Sequence, residues 1–438
     1  SFEILEDYDP KLPLVIDPII MDWSTYFDLA VPWSLLTDSN YVYAVGYSSS
    51  ATYPTTVGAF QTSLAGLWDV SVTQFNRNTG MPVYSTFWGG NSVEVPTQSI
   101  LSGNNLYVGG YTLSNTLPLA NEVQDTSGGF YDAFLFKMNM TTGLPEFSTY
   151  FGGNSWELVL DFDVENDTAY IAGYSASTNL DTTSNAYQDT LGGGYDAFLA
   201  VIDIPNSDII YLSYLGGTGV DYCFDINKNG DYAFVAGITV SADFPVTAGA
   251  FQTAFGGGGS DGFVFRYNEN LNTIDYVSYI GDLGTEQSRR VVALPTGEAL
   301  IATYIDATEP SSLPITPGIY RDDPPESYTW TDGLDYVNGL YLLKLDVVGA
   351  RDWSTYIGGS TMYWAQFGWM EYDGTYLYIL GETFHDDWPF TANAIQTTRN
   401  PEFDLAFVKL NAQTGANIYT TLNGGSDYED LTNGHFKI

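Results

Sequence analysis

The chain is poor in the residue types from which most catalytic and metal centres are built. Among 438 residues there is one cysteine and there are two histidines. The single thiol, Cys223, cannot close an intramolecular disulfide, so packing and hydrogen bonds must hold the fold. His385 and His435 stand in no His-x-x-x-His or Cys/His pattern, which argues against a structural zinc site or a histidine-based triad. Basic residues are scarce too: Lys+Arg 13 against Asp+Glu 53 gives a net charge of -40. Such a field repels phosphate backbones and anionic headgroups, so nucleic acid and membrane surfaces are poor partners. No run approaches the roughly 18 apolar residues of a spanning helix, so no transmembrane segment is expected. Ser1-Phe2-Glu3-Ile4 also lacks the charged-then-apolar start of a signal peptide, so an exported form of this chain would have lost its leader. Gly256–Gly259 is followed by no Lys-Ser/Thr and reads as a turn, not a phosphate loop.

What is abundant is Tyr 34, Phe 25, Trp 10 and Gly 45, a composition of strands joined by tight turns. One motif recurs along the whole chain: Trp23-Ser-Thr-Tyr-Phe27, Tyr84-Ser-Thr-Phe-Trp-Gly-Gly90, Phe147-Ser-Thr-Tyr-Phe-Gly-Gly153, Tyr211-Leu-Ser-Tyr-Leu-Gly-Gly217, Tyr276-Val-Ser-Tyr-Ile-Gly281, Trp353-Ser-Thr-Tyr-Ile-Gly-Gly359 and Tyr419-Thr-Thr-Leu-Asn-Gly-Gly425. The copies are 61, 63, 64, 65, 77 and 66 residues apart. Each period repeats the same order of elements. An alternating segment ends at a turn such as Gly103-Asn104-Asn105, and a small-residue strand such as Tyr107-Val-Gly-Gly-Tyr111 follows. Glycine in that strand implies close backbone approach. Next comes a proline-containing connection, as in Phe244-Pro-Val-Thr-Ala-Gly-Ala-Phe-Gln-Thr253. A third strand such as Asp132-Ala-Phe-Leu-Phe-Lys-Met138 then turns at Thr142-Gly143 into the Ser-Thr-Tyr strand. This is a four-stranded antiparallel meander with two apolar faces, and radial stacking of such units buries both. The expectation is an all-β single domain over residues 1–438, a β-propeller without helices longer than a turn.

These motifs, Tyr-Ser-Thr-Tyr-Leu-Gly-Gly, Ala-Gly-Tyr, Phe-Pro-Thr-Thr-x-Gly-Ala-Phe-Gln-Thr and Gly-Gly-x-Asp-Ala-Phe, resemble the bacterial seven-bladed β-propeller repeat (SBBP) family over nearly the whole chain. Local departures are Leu180-Asp-Thr-Thr in place of the proline motif, Gly339 where other copies have Asp, and no Gly-Gly after Phe27. The resemblance implies an exported, surface-attached or secreted bacterial protein, often part of a larger polypeptide or assembly. It implies no shared enzymatic activity. Six full periods lie between Trp23 and Tyr419, and residues 1–27 together with 419–438 would complete a seventh blade; a ring of six with stub ends is the alternative.

Chemistry is harder to find. Asp322-Asp323, Asp386-Asp387 and Glu429-Asp430 are paired carboxylates, but among 53 acids some pairs arise by chance. The repeat aspartates Asp132, Asp196, Asp261 and Asp404, with Asp69 fitting less cleanly, have two readings. They accept backbone N–H groups of the glycine-rich turn before the third strand, or they are calcium ligands, although no Asp-x-Asp-x-Asp-Gly loop is present. The longest period carries an extra segment, Tyr320–Val337, whose Tyr328 and Trp330 stand among Asp322, Asp323, Glu326, Asp332 and Asp335. Aromatic and acidic loop residues suit a glycan, which makes Tyr328 and Trp330 the candidate ligand contacts, against a tolerated surface insertion. Two functions stand: a non-catalytic extracellular or cell-surface module for adhesion, scaffolding or binding of glycan or protein, and a carbohydrate-active hydrolase or lyase using carboxylates at the propeller mouth. A buried carboxyl pair in the axial funnel would favour the enzyme. Loop lengths place the long connections on one face of the ring, where any partner is expected to bind.

Overall fold

The computed structural model describes residues 30–307, 311–321, 328–329, 335–358, 367–383, 388–399 and 404–424. They form six antiparallel sheets in chain order, here I to VI, and no helix. Sheet I runs Val31–Thr37, Tyr41–Ser48, Asp69–Asn76 and Pro82–Trp88, each strand hydrogen-bonded to the next. Sheets II (94–151), III (157–215), IV (221–280), V (285–357) and VI (367–423) repeat that meander. Sheet V also carries a two-residue strand, Tyr328–Thr329, folded back on Tyr336 and Asp335; the long insertion thus ends in an extension of the third strand.

The turns form where the sequence permits a left-handed backbone. Gly103, Asn166, Asp167 and Gly230 have positive φ between the first two strands, and Gly80, Gly143 and Gly415 between the last two. The Ser-Thr-Tyr strand is constant because its side chains dock the long connection. Thr149 Oγ1 accepts from Val123 N at 3.1 Å and Gln124 N at 3.0 Å, while Tyr150 Oη accepts from Leu117 N at 2.8 Å. The connection with Leu180 in place of the proline motif docks alike, through Leu180 N to Tyr214 Oη at 3.1 Å.

Successive sheets pack face to face, and five cores lie between them. Strand alternation serves two cores at once. Phe134, Phe136 and Met138 pack toward sheet I, whereas Ala133 and Leu135 pack toward sheet III. Trp88 of sheet I stacks on Phe136 of sheet II at 4.3 Å. A fully buried ring of this kind contributes about 1.5–3 kcal/mol by burial. The main chain stitches such junctions: Glu157 N donates to Tyr131 O at 2.8 Å and Glu286 N to Ser260 O at 2.9 Å, and the inner strands of sheets II to V each start parallel to the start of the preceding third strand.

Each innermost strand carries a bulge at one position. The extra residues are Trp33, Thr97, Leu160, Phe224, Arg289 and Gly368. The bulge explains the glycine of the second strand: a Cβ at Gly46, Gly110, Gly173 or Gly237 would collide with the carbonyl oxygen of Val31, Val95, Leu158 or Tyr222. In sheet V Thr303 takes this place, opposite Ser288.

The six inner strands surround a common axial cavity, the arrangement of a propeller. Among the described residues no strand of sheet VI pairs with sheet I, and the ring is not closed. Tyr419 lies in the outer strand of sheet VI, Asn417–Asn423. The other segments expected in a seventh blade, residues 1–27 and 425–438, lie outside the described residues.

Candidate functional site

The axial cavity has a volume of about 560 Å3 and takes lining residues from all six inner strands. The residue following the bulge reaches it in sheets II to VI, namely Gln98, Asp161, Asp225, Arg290 and Trp369, whereas in sheet I the bulge residue Trp33 does, with Ser34 next to it. Contacts run round this set from sheet to sheet. The hydroxyls of Ser34 and Ser99 are hydrogen-bonded to one another. Gln98 Nε2 donates to Asp161 Oδ1 at 2.7 Å, Ile226 N to Asp161 Oδ2 at 3.1 Å, and Val291 N to Asp225 Oδ2 at 2.6 Å. Arg290 lies 3.5 Å from Asp225 Oδ1, and its guanidinium sits 5.1 Å from the Trp369 ring centre. One register step along, Asp163 Oδ2 accepts from Lys228 N at 2.9 Å and Asn227 Oδ1 from Ala293 N at 2.9 Å.

Burial sets the electrostatics. It holds the Asp161 carboxyl well above the ordinary carboxylate range, and the Asp225 charge beside it pushes the same way. Burial raises Asp225 as well, against the opposing pull of Arg290. Each carboxyl acts on the other, so the two titrations are linked. Asp163 is pushed up to about 6, again by burial.

The repeat aspartates lie elsewhere, at the junctions between sheets. Gly128 N and Gly129 N donate to Asp132 at 2.8 and 3.2 Å, Gly192 N and Gly193 N to Asp196 at 2.7 and 3.1 Å, and Gly256 N to Asp261 at 2.7 Å. Asp69 fits this pattern as fully as the others, through Ala65 N at 2.8 Å and Gly66 N at 3.2 Å. The glutamine of the long connection completes the clasp at Asp69, Asp196, Asp261 and Asp404: Gln188 Nε2 donates to Asp196 at 2.7 Å while its Oε1 accepts from Gly216 N at 2.9 Å, and Gln396 Nε2 donates to Asp404 at 2.6 Å. A second buried acid, the first residue or two of the next inner strand, lies beside Asp69, Asp132, Asp196 and Asp261: Glu94, Glu157, Asp221 and Glu286. A Cβ on Gly152 would stand 2.5 Å from Asp132 Oδ1 and 2.6 Å from Glu157 Oε2. Burial pushes Asp132 and Asp221 up to about 6, Asp261 to about 7 and Glu286 to about 9. Asp221 Oδ1, Asp261 Oδ1 and Glu286 Oε1 accept no hydrogen bond. Among the described residues no group of three or more His, Cys, Asp or Glu is arranged to hold a metal.

Tyr328 lies in the short added strand of sheet V, whereas Trp330, His385, His435, Asp322-Asp323, Asp386-Asp387 and Glu429-Asp430 fall outside the described residues. Cys223 is buried between sheets III and IV, where burial pushes its thiol up. Sequence reasoning overlooked the axial set. A signal existed: Gln98, Asp161, Asp225 and Arg290 each stand four residues after the acid that opens the inner strand, at Glu94, Glu157, Asp221 and Glu286.

No family model matches the chain. A stretch of 156 residues is 31% identical to part of the regulatory protein FlaEY of Caulobacter vibrioides; it covers 34% of this chain and spans only 14% of that protein. Hydrazine synthase of Kuenenia stuttgartiensis is similar over 89% of this chain and 80% of its own, at 14% identity and a TM-score of 0.40. The β-propeller domain of the trilobed protease from Pyrococcus furiosus is similar over 87% and 82%, at 8% identity and a TM-score of 0.40. Likenesses of this degree carry no chemistry across. Among the described residues no helix is long and apolar enough to cross a membrane, a statement that does not bear on β-barrels.

Proposed function

We propose that the chain is an exported, non-catalytic β-propeller module of the SBBP type, seven-bladed when both chain ends are included, which binds a glycan or a protein on its long-loop face at the cell surface or after secretion. The observation that carries this reading is the use made of the axial carboxylates. Asp161, Asp163 and Asp225 each accept a main-chain N–H of the next inner strand. They are latches between blades, committed in the resting state, and such commitment suits a rigid scaffold better than proton transfer to a substrate. The SBBP assignment rests on the repeat motifs, and export is what that resemblance implies.

A second reading, a carbohydrate-active hydrolase or lyase, is favoured by one observation: Asp161 and Asp225 form a buried pair in the axial cavity, both carboxyls raised by burial. The test is release of reducing ends or unsaturated products from soluble polysaccharides by the full chain, its Asp161→Asn variant and its Asp225→Asn variant. The module reading expects no product from any of the three. Depolymerisation by the native chain that either substitution abolishes, while the variant still melts cooperatively, would establish the enzyme instead.

A further inference from the structure

We propose that an arc of aromatic rings on the long-loop face of sheets I to IV is a binding cleft for a neutral polysaccharide chain. The inference deepens the binding-module reading and rests on it. The arc begins at Tyr47 and Trp68, stacked at 5.2 Å. It continues through Tyr111 against Tyr131 at 5.4 Å, Tyr131 against Trp156 at 4.9 Å, and Phe130 stacked on Trp156 at 5.6 Å. It ends with Tyr174 against Tyr195 at 5.6 Å and against Tyr222 at 4.5 Å.

These residues stand at the ends of second strands and the starts of third and inner strands, where the long connections and the blade-to-blade links emerge. They are not core. Phe130 is 59% exposed, Trp68 41% and Trp156 37%, and the tyrosines are half-buried.

The fold does not require them. The positions of Tyr47, Tyr111 and Tyr174 are held by Ile238 in sheet IV, and those of Trp68, Tyr131 and Tyr195 by Ser260. The inner-strand position of Trp156 is Thr285 in sheet V. A residue needed for folding would recur in every blade, whereas this arc is confined to one part of the ring.

The chemistry selects the occupant. Tyrosine and tryptophan faces stack on the C–H faces of sugar rings, and the adjacent links supply donors and acceptors for hydroxyls. Asn154, two residues before Trp156, donates through Nδ2 to Thr178 Oγ1 at 3.2 Å, and the equivalent Asn91 donates to Asn115 Oδ1 at 2.8 Å; all four are exposed. Their recurrence from blade to blade suits a ligand that itself repeats. The net charge of -40 disfavours a polyanionic glycan, and the rings, amides and hydroxyls of the arc carry no charge of their own, which suits a neutral chain.

The test is affinity electrophoresis of the full chain in native gels containing mixed-linkage β-glucan, xyloglucan or galactomannan, with alginate as the polyanionic control. Retardation is expected in at least one neutral gel and not in alginate. The double variant Trp68→Ala/Trp156→Ala is expected to raise the apparent Kd about tenfold or more, and Trp156→Phe, which keeps a flat ring, by less than about threefold. Phe130→Ala repeats the measurement at the most exposed ring should the double variant fail to melt like the native chain. No retardation in any neutral gel, or retardation that the folded alanine variants leave unchanged, overturns the proposal. Either result leaves the module reading standing with a protein partner, whereas depolymerisation dependent on Asp161 defeats that reading and not the arc.

Discussion

Asp161 and Asp225 occupy the same position on neighbouring inner strands, each just past the bulge, and each accepts a main-chain N–H from the strand that follows, Ile226 N at 3.1 Å and Val291 N at 2.6 Å. The bulge turns a side chain toward the axis, and the next strand supplies an N–H that needs a partner there. Removing the carboxyl strands those donors. Asp161→Ala leaves Gln98 Nε2 and the N–H groups of Phe162 and Ile226 without an acceptor, and is expected to destabilise the protein by about 2–4 kcal/mol. Asp161→Asn keeps one acceptor oxygen for these donors, so it should cost less than alanine. Urea unfolding of both variants measures the difference, and an alanine variant as stable as the asparagine variant contradicts the latch.

The junction acids give the protein a definite pH dependence. Glu286 and Asp261 are raised by burial to about 9 and about 7, so in the folded state they keep protons that the unfolded chain releases near pH 4. The folded state therefore binds more protons between about pH 4 and each folded value, and its stability falls as pH rises through that window. Repulsion within a chain of net charge -40 acts in the same direction, so the wild-type slope alone does not isolate the pair. Glu286→Gln does. The neutral amide should match the native protein at pH 5 and exceed it in urea midpoint at pH 9, giving a flatter profile. Equal slopes for the two proteins would show that Glu286 is ionised in the fold.

Glycine in the second strand is the clearest backbone constraint. A Cβ on Gly173 would meet the Leu158 carbonyl oxygen and the Phe198 ring, and neither can retreat because both lie in paired strands. Gly173→Ala is expected to cost about 1–3 kcal/mol through overpacking, even though alanine is the better residue for the unfolded-state entropy. Thermal melting checks it. A stabilised Gly173→Ala protein would mean that the bulge facing it is not formed.

The period, the meander and the division into long and short loops could be read from the sequence because repetition exposes whatever every blade needs. The glycine opposite the bulge, the glutamine and aspartate of the junction clasp and the Ser-Thr-Tyr hydroxyls all serve packing, and all recur. The axial set was illegible for the same reason. The positions after the bulges carry Ser34, Gln98, Asp161, Asp225, Arg290 and Trp369, five different side chains at six places, so a search for sameness passes over them. The aromatic arc was half visible: Tyr47, Tyr111 and Tyr174 belong to the recurring second strand, but Trp68, Phe130 and Trp156 sit where blades differ. The candidate contacts Tyr328 and Trp330 were chosen because an insertion stands out against a period, which marks a place for variation and not a geometry.

Four of the 13 basic residues, Lys137, Arg266, Lys344 and Lys409, stand at equivalent places in the third strand. Lys344 is the most enclosed of these. Its ammonium is fully buried and bonds Glu298 at 2.7 Å, Asp352 at 2.8 Å and Gln413 Oε1 at 2.8 Å, the last from sheet VI. Burial alone would lower its pKa, but the bonds to Asp352 and Glu298 outweigh it and raise the group. A lysine raised in this way adds stability at every pH below its unfolded value and loses it only as pH climbs past about 10. Lys344→Met fills the same space without the charge. The Glu298 and Asp352 side chains, 16% and 45% exposed, regain water, so the cost should be about 1–3 kcal/mol, below that of a fully enclosed broken pair. The loss should persist at 1 M salt, because a bond buried between sheets V and VI is screened far less than a surface pair. Denaturation at low and high salt measures both quantities, and a Lys344→Met protein that is destabilised at low salt but equals the native chain at 1 M salt would show the ammonium to be solvent-screened.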